Sequence, residues 1–144
     1  MKHGLPLLLV AAVSLAMAGP DCASTVERTL QSAGIEALAP LFGAPHARVR
    51  GDLSALAKQA GDLSKMERAT GPRFRGFTRL SVKAPDLPRD YGYEGLWIDA
   101  QSSRLGLVQF HIALEPGDAC QVLAVHLDSV PSAPRAAGRD EPRE

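Results

Sequence analysis

The chain contains no asparagine and only two cysteines, and it has no long hydrophobic run. Without asparagine there is no acceptor for N-linked glycans. No stretch approaches the roughly 20 consecutive apolar residues that a membrane-spanning helix needs, so we expect no stable membrane insertion. Basic and acidic residues balance at 16 each, which argues against bulk attraction to nucleic acid. No catalytic, metal-ligating or nucleotide-binding signature stands out, so no metal and no cofactor are predicted.

The first 18 residues have the features of a secretory signal peptide. Lys2 and His3 form a polar start, an apolar run extends from Leu5 to Ala16, and small residues before and at Ala18 offer a cleavage site. Cleavage near Ala18 predicts a periplasmic or secreted protein. We expect residues 19–130 to form a single domain and residues 131–144, rich in Pro, Arg and Glu, to be a disordered tail.

The two cysteines are Cys22 and Cys120, and export to an oxidising compartment favours a disulfide bond between them. Such a bond would close a loop of about 100 residues, for which the chain-entropy model gives about 4 to 5 kcal/mol of stability. The alternative is a lipid anchor on Cys22. However, the preceding Gly19-Pro20-Asp21 does not resemble the small and aliphatic tripeptide that precedes acylated cysteines.

The first half of the domain has helical patterns. Ser24-Thr25-Val26-Glu27 is a capping box, and apolar residues then recur at helical spacing, which predicts a helix from about Thr25 to Leu38. Residues 40–51 are predicted to be a connection. Two Gly-Asp-Leu-Ser segments, at 51–54 and 61–64, each offer an Asp cap, so two short helices or one helix broken at Gly61 should follow.

The second half alternates apolar and polar residues, which predicts four strands at about 74–83, 92–99, 104–114 and 120–128. Short connections make the last three an antiparallel meander. The predicted fold class is α+β, with N-terminal helices packed on a curved four-stranded antiparallel sheet. Alternation assigns one sheet face to the core through Leu80, Val82, Leu96, Ile98, Val108, Phe110, Ile112, Leu114, Leu123, Val125 and Leu127.

The opposite sheet face, called the second face below, is predicted to be basic and aromatic. On the first predicted strand, odd-numbered positions place five residues on this face: Arg73, Arg75, Phe77, Arg79 and Lys83. Guanidinium groups beside an aromatic ring suit phosphate, sulfate or carboxylate. The alternative is that Lys and Arg mark an edge strand and discourage aggregation.

Aromatic and imidazole side chains share the second face. Tyr91, Tyr93 and Trp97 form either a recognition surface or a minor core packed beneath the N-terminal segment. His111 and His126 lie on adjacent predicted strands, but two imidazoles are fewer than the three or four ligands of a zinc site.

Helices followed by an antiparallel sheet, with Gly51-Asp52-Leu53 after the first helix, resemble the cystatin-like or nuclear transport factor 2-like superfamily. The resemblance covers about residues 25–129. It implies a strongly curved sheet around the helices, with a cavity where they part. It transfers no catalytic residue, because this superfamily includes enzymes and binding modules alike.

The function expected from the sequence is that of an exported, non-catalytic binding or accessory module. Its partner would be a protein or an anionic ligand outside the cytoplasm. The candidate binding residues are Arg73, Arg75, Phe77, Arg79, Tyr93, Trp97, His111 and His126. The alternative is a small enzyme with a pocket between helices and sheet, which would bring His111 within about 3.2 Å of a carboxylate or a tyrosine hydroxyl.

Overall fold

The computed structural model describes residues 21–43, 47–117 and 119–130. The elements in chain order are helix α1 (Cys22–Ala33), a 3-10 helix (Ile35–Phe42), helix α2 (Ala47–Ala60) and strands β1 (Leu63–Ala69), β2 (Thr78–Lys83), β3 (Glu94–Ser102), β4 (Gly106–Leu114) and β5 (Val122–Ser129). The strands form one antiparallel sheet in the order β1-β3-β4-β5-β2. The α+β class and the meander of β3, β4 and β5 are confirmed, but the sheet has five strands rather than four. The predicted signal peptide and tail lie outside the described residues.

Helix α1 begins and ends earlier than predicted. Asp21 is its N-cap, since its carboxylate accepts the Ser24 backbone N–H at 2.9 Å, so Ser24 is not the capping residue. The helix ends at Gly34, whose φ of 92° is a conformation that only glycine adopts readily. The chain continues as the 3-10 helix instead of reaching Leu38 in α1.

Helix α2 begins inside the region predicted to be a connection and includes residues 47–51 of it. It starts at Ala47, so Asp52 lies inside the helix and does not cap it. The buried side of α2 presents Val49, Leu53 and Leu56 to the sheet.

Strand β1 was predicted to be helical, and the reason is a β-bulge. Leu63 and Met66 are three residues apart and both pack against the core, a spacing typical of helices. Here the pairing of β1 with β3 shifts register between Ser64 and Glu67, and Lys65 has a φ of 53°. Because the bulge adds one residue to the strand, two side chains that face the core are three residues apart, the spacing expected of a helix.

The main core lies between the helices and one face of the sheet. Fully buried side chains there include Leu30, Leu53, Ile98, Phe110 and Ile112. The Sγ atoms of Cys22 and Cys120 are 2.18 Å apart, which is disulfide distance. Because Cys22 packs against this core, the pair lies on the helix side of the sheet.

One residue assigned to the core, Leu123, lies elsewhere. Leu114 pairs with Val122 and Ala113 pairs with Ala124, so the bulge omits Leu123 from the ladder. Val122 takes the core position, while Leu123 joins a separate small cluster that includes Tyr91.

Two connections cross the second face of the sheet. Residues 70–77 run from β1 at one edge to β2 at the other, and they are hydrogen-bonded to Gln109 of the central strand β4. Residues 84–93 run back from β2 to β3, and Leu87 packs on Ala113 and Ala124. The space between these two crossing segments is called the trough below. In the described part of the chain, no helix is long and apolar enough to span a membrane.

Candidate anion-binding site

A row of three rings forms the floor of the trough. Trp97 of β3, His111 of β4 and His126 of β5 are direct cross-strand neighbours, so the strand register aligns them across the sheet. The Trp97 and His111 rings are stacked, with centroids 3.7 Å apart and planes 7° from parallel. The His111 and His126 centroids are 5.7 Å apart. The result is a rigid surface of flat rings.

Gly95 provides the space that this stack requires. A Cβ at position 95 would lie 3.3 Å from Nε2 of His111 and 3.6 Å from Nε1 of Trp97. The contact with His111 would be tight, whereas the contact with Trp97 would be an ordinary van der Waals contact, so a side chain at position 95 would press on the His111 ring.

The tyrosines lie at the 84–93 side of the trough. Tyr93 is 46% exposed, and its ring centroid is 5.5 Å from that of His111. Tyr91 contacts Tyr93 at a centroid distance of 5.5 Å and packs on the small cluster around Leu123. The minor-core interpretation holds for Tyr91. The cover is the 84–93 segment, however, and not the N-terminal segment that was predicted.

Hydrogen bonds fix the 70–77 segment above the sheet. The Arg73 backbone N–H donates to the Gln109 side chain at 2.9 Å, and Gln109 in turn donates to the Gly71 carbonyl at 2.9 Å and to Asp99 at 2.7 Å. Gln109 is only 3% exposed, so the segment is anchored to a buried side chain. They position the arginines that follow.

A cleft of about 380 Å³ lies between this segment and the ring row. It is lined by Pro72, Arg73, Phe74, Arg75, Gly76, Arg79, Trp97, His111 and Asp128. The arginines differ in how well they are neutralised. Nε of Arg73 is 2.8 Å from Asp99, whereas Nε of Arg79 is 3.8 Å from Oδ1 of Asp128. Within the described ranges Arg75 forms no ion pair, so Arg75 and Arg79 are the cations available to a ligand.

Both histidines are held in the neutral form. Burial lowers the pKa of His126 to about 4, and the positive charges of Arg79 and Lys83 act in the same direction, as does His111 when it is protonated. Burial also lowers the pKa of His111, with Arg79 adding to the effect and Asp128 opposing it. Near neutral pH, therefore, the arginines and not the imidazoles supply the positive charge of the trough.

Part of the basic set predicted for the first strand does lie in one place, but a loop and not a strand face brings these residues together. Strand β2 begins only at Thr78, so Arg73, Arg75 and Phe77 are not on a strand and residue parity cannot align them. The crossing segment brings Arg73 and Arg75 to the same cleft as Arg79. Phe77, which is 71% exposed, is outside the lining of that cleft. β2 is an edge strand, as the alternative interpretation stated.

Two residues of the site were given no role by the sequence. Gln109 anchors the crossing segment, and Asp128 lines the cleft. The Oδ1 atom of Asp128 is buried and has no hydrogen-bond partner in the described structure. The sequence does contain one indication of this arrangement. Turn-forming residues at Gly71-Pro72 and Gly76 indicate that residues 71–76 form a loop.

The geometry required by the enzyme alternative is not formed in the part of the chain that the structure describes. His111 accepts and donates no hydrogen bond with a carboxylate or tyrosine hydroxyl there; its ring partners are Trp97, Tyr93 and His126. Among those same residues, no group of three His, Cys, Asp or Glu side chains is placed to hold a metal ion.

The chain matches no protein family model, no curated protein and no solved structure. The resemblance to the cystatin-like or nuclear transport factor 2-like superfamily therefore stays a prediction.

Proposed function

We propose that the protein is an exported, non-catalytic binding module that holds a carboxylate group of a ligand or partner in the trough. The observation that carries this proposal is the cleft itself. It combines Arg75, which forms no ion pair in the described structure, and Arg79, whose ion pair with Asp128 is long, with the flat surface of Trp97 and His111. Guanidinium groups bind carboxylates through paired hydrogen bonds, and aromatic surfaces add apolar contact.

The charge balance of the cleft favours a monoanion. Three arginines, Arg73, Arg75 and Arg79, are opposed by Asp99 and Asp128, while both histidines are neutral near pH 7. One positive charge in excess suits a carboxylate better than a phosphate dianion, which would leave a negative charge uncompensated in a partly enclosed space.

The openness of the trough supports binding rather than catalysis. An enzyme of the predicted alternative type would enclose His111, Tyr93 and a carboxylate in one pocket. Here the cleft contains His111 and Asp128, whereas Tyr93 lies outside its lining and is half exposed.

Benzoate is a suitable probe, because it joins one carboxylate to one flat ring. In an NMR titration we expect the largest shift changes at the Trp97 indole N–H and the Arg79 side chain. Replacing both cations, in Arg75→Ser with Arg79→Ser, should weaken benzoate binding about tenfold or more, since hydrogen bonds to charged groups contribute about 1.5 to 3 kcal/mol.

The matched control removes the same charge from exposed helical positions, in Arg28→Ser with Arg50→Ser. Equal benzoate affinity in the trough variant and the wild type would overturn the proposal, and so would an equal loss in both double variants. Phosphate, titrated in parallel, should bind more weakly than benzoate. Export is tested separately by cell fractionation and by the mass of the mature chain, which should begin near Gly19.

A further inference from the structure

The two edges of the sheet differ in how they are protected against strand pairing. On β1, the register shift between Ser64 and Glu67 interrupts the ladder, and such bulges discourage addition of another strand. On β2, pairing with β5 runs without interruption from Thr78 to Lys83. The β2 edge is regular and extended.

Three residues of β2 direct their backbone N–H and C=O groups towards the free edge of the sheet. The Ala84 N–H donates to the Leu123 carbonyl of the neighbouring chain segment at 3.0 Å. N–H and C=O groups alternate in direction along an antiparallel strand, so those of Arg79, Ser81 and Lys83 point to the free edge. All three residues are exposed. In the described structure, their outward-facing N–H and C=O groups form no hydrogen bond with another backbone segment.

A cleft of about 670 Å³ lies along this edge. Its walls come from both sides of the sheet, with Arg48 and Asp52 of α2 on the helix side and Arg89 and Tyr91 of the second crossing segment on the other. Ser81 and Lys83 of β2 line the space between them. Three cations, Arg48, Lys83 and Arg89, face one carboxylate, Asp52, and none of the three forms an ion pair within the described residues.

We propose that the β2 edge binds an extended acidic segment of a partner polypeptide, which adds to the sheet as a sixth, antiparallel strand. Main-chain hydrogen bonds to Arg79, Ser81 and Lys83 would supply affinity, and the basic side chains would select acidic residues. The edge shares Arg79 with the trough, but its cleft is lined by three other cations, Arg48, Lys83 and Arg89. The proposal therefore does not depend on carboxylate binding in the trough.

A second copy of this chain is a poorer occupant of the edge. Antiparallel pairing of two β2 strands about Ser81 would set Arg79 of each copy opposite Lys83 of the other. Directly opposed like charges destabilise a strand pair. Charge complementarity thus favours an acidic partner over self-association.

The geometry of β2 specifies the spacing of the acids. Arg79 and Lys83 are four residues apart on the same face, about 13 Å at 3.3 Å per residue. The matching segment therefore has acidic residues at i and i+4 with a small polar residue between them, opposite Ser81. The probe that follows is the capped peptide Thr-Glu-Val-Ser-Val-Glu-Thr, labelled with a fluorophore, and its control replaces both glutamates by lysines.

Backbone methylation of the probe separates strand addition from simple charge attraction. In the antiparallel register, the serine amide faces β2 and the valine amides face away. Methylating the serine nitrogen should weaken binding about tenfold or more, because it removes a hydrogen bond and adds a clash at the edge. Methylating one valine nitrogen should change affinity by less than about twofold, since that amide makes no bond to β2. Binding should also slow hydrogen exchange at the amides of Arg79, Ser81 and Lys83.

Substitutions in the protein complete the test. Lys83→Gln with Arg89→Gln should weaken the acidic peptide about tenfold, while Lys65→Gln with Arg28→Gln removes the same charge elsewhere and should have little effect. Equal binding of the two methylated peptides, or of the lysine peptide, would overturn the proposal. Benzoate titration of the Lys83 and Arg89 variant should match the wild type, so that failure at the edge and failure in the trough give different results.

Discussion

The two faces of the central strand β4 are both buried, but by different means and with different chemistry. Val108, Phe110 and Ile112 face the helices in an apolar core. Gln109 and His111, which alternate with them, are only 3% and 8% exposed, yet they are polar and lie beneath crossing segments. One face therefore supplies the stability of the fold. The other uses burial to fix the orientation of polar groups.

The largest expected effect concerns the pair of cysteines on the helix side of the sheet. Replacing both Cys22 and Cys120 by Ser should lower the unfolding free energy by about 4 to 5 kcal/mol, because the unfolded chain regains the freedom of a loop of about 100 residues. Urea unfolding measures the change. Reduction of the wild type should reproduce it, and an unaltered midpoint in the serine variant would contradict the assignment.

A cavity in the apolar face should cost nearly as much. Phe110 is fully buried, so Phe110→Ala should destabilise the protein by about 3 to 5 kcal/mol. The matched control is Leu107→Ala on the same strand, where the side chain is 61% exposed and the loss should be below about 1 kcal/mol. Similar losses in both variants would show that the two faces do not differ as described.

The second face should make stability depend on pH. The pKa of His126 is lowered to about 4, so the unfolded chain, with an ordinary value near 6.5, binds the proton more readily. The contribution of His126 to the unfolding free energy is fully present above pH 6.5. It is lost as the pH drops towards 4, and the loss is about 3 kcal/mol. His126→Gln should flatten the curve of unfolding free energy between these pH values, with the remaining slope due in part to His111. An unaltered curve would exclude His126 as its source.

The smallest expected effect is on the stability of the cleft variants. Arg79 is more than half exposed and its ion pair with Asp128 is long at 3.8 Å, so Arg79→Ser should change the unfolding free energy by less than about 0.5 kcal/mol. The same change should reduce benzoate binding. A stability loss above about 1.5 kcal/mol, the lower end of the range for a hydrogen bond to a charged group, would show that Arg79 is structural.

The apolar face could be predicted from the sequence because alternation has one simple cause. In β3 and β4 every second residue points to the core, and Leu96, Ile98, Phe110 and Ile112 were assigned correctly. Bulges break that rule. One in β1 gave a helical spacing to Leu63 and Met66, and another moved Leu123 to the second face.

The trough was harder to predict because it depends on contacts between distant segments. Arg75 and Arg79 line the same cleft because a loop is held by Gln109, which lies more than 30 residues from that loop in the chain, and not because the two arginines share a strand face. The charge cluster at the β2 edge needs Arg48 from α2, and strand parity carries no information about a helix. Alternation along a strand identifies the two faces of the sheet. The trough and the edge cleft, in contrast, depend on how the connecting segments run across the sheet.

The two crossing segments also have a consequence for how such a protein can diversify. Residues 70–77 and 84–93 form the walls of the trough, while the helices and the opposite sheet face form the main core. Loops tolerate insertions and deletions far better than core elements do. Lengthening or shortening either segment would widen, narrow or close the trough with the main core left intact. The shape of the trough and the folding of the main core can therefore vary independently in this architecture.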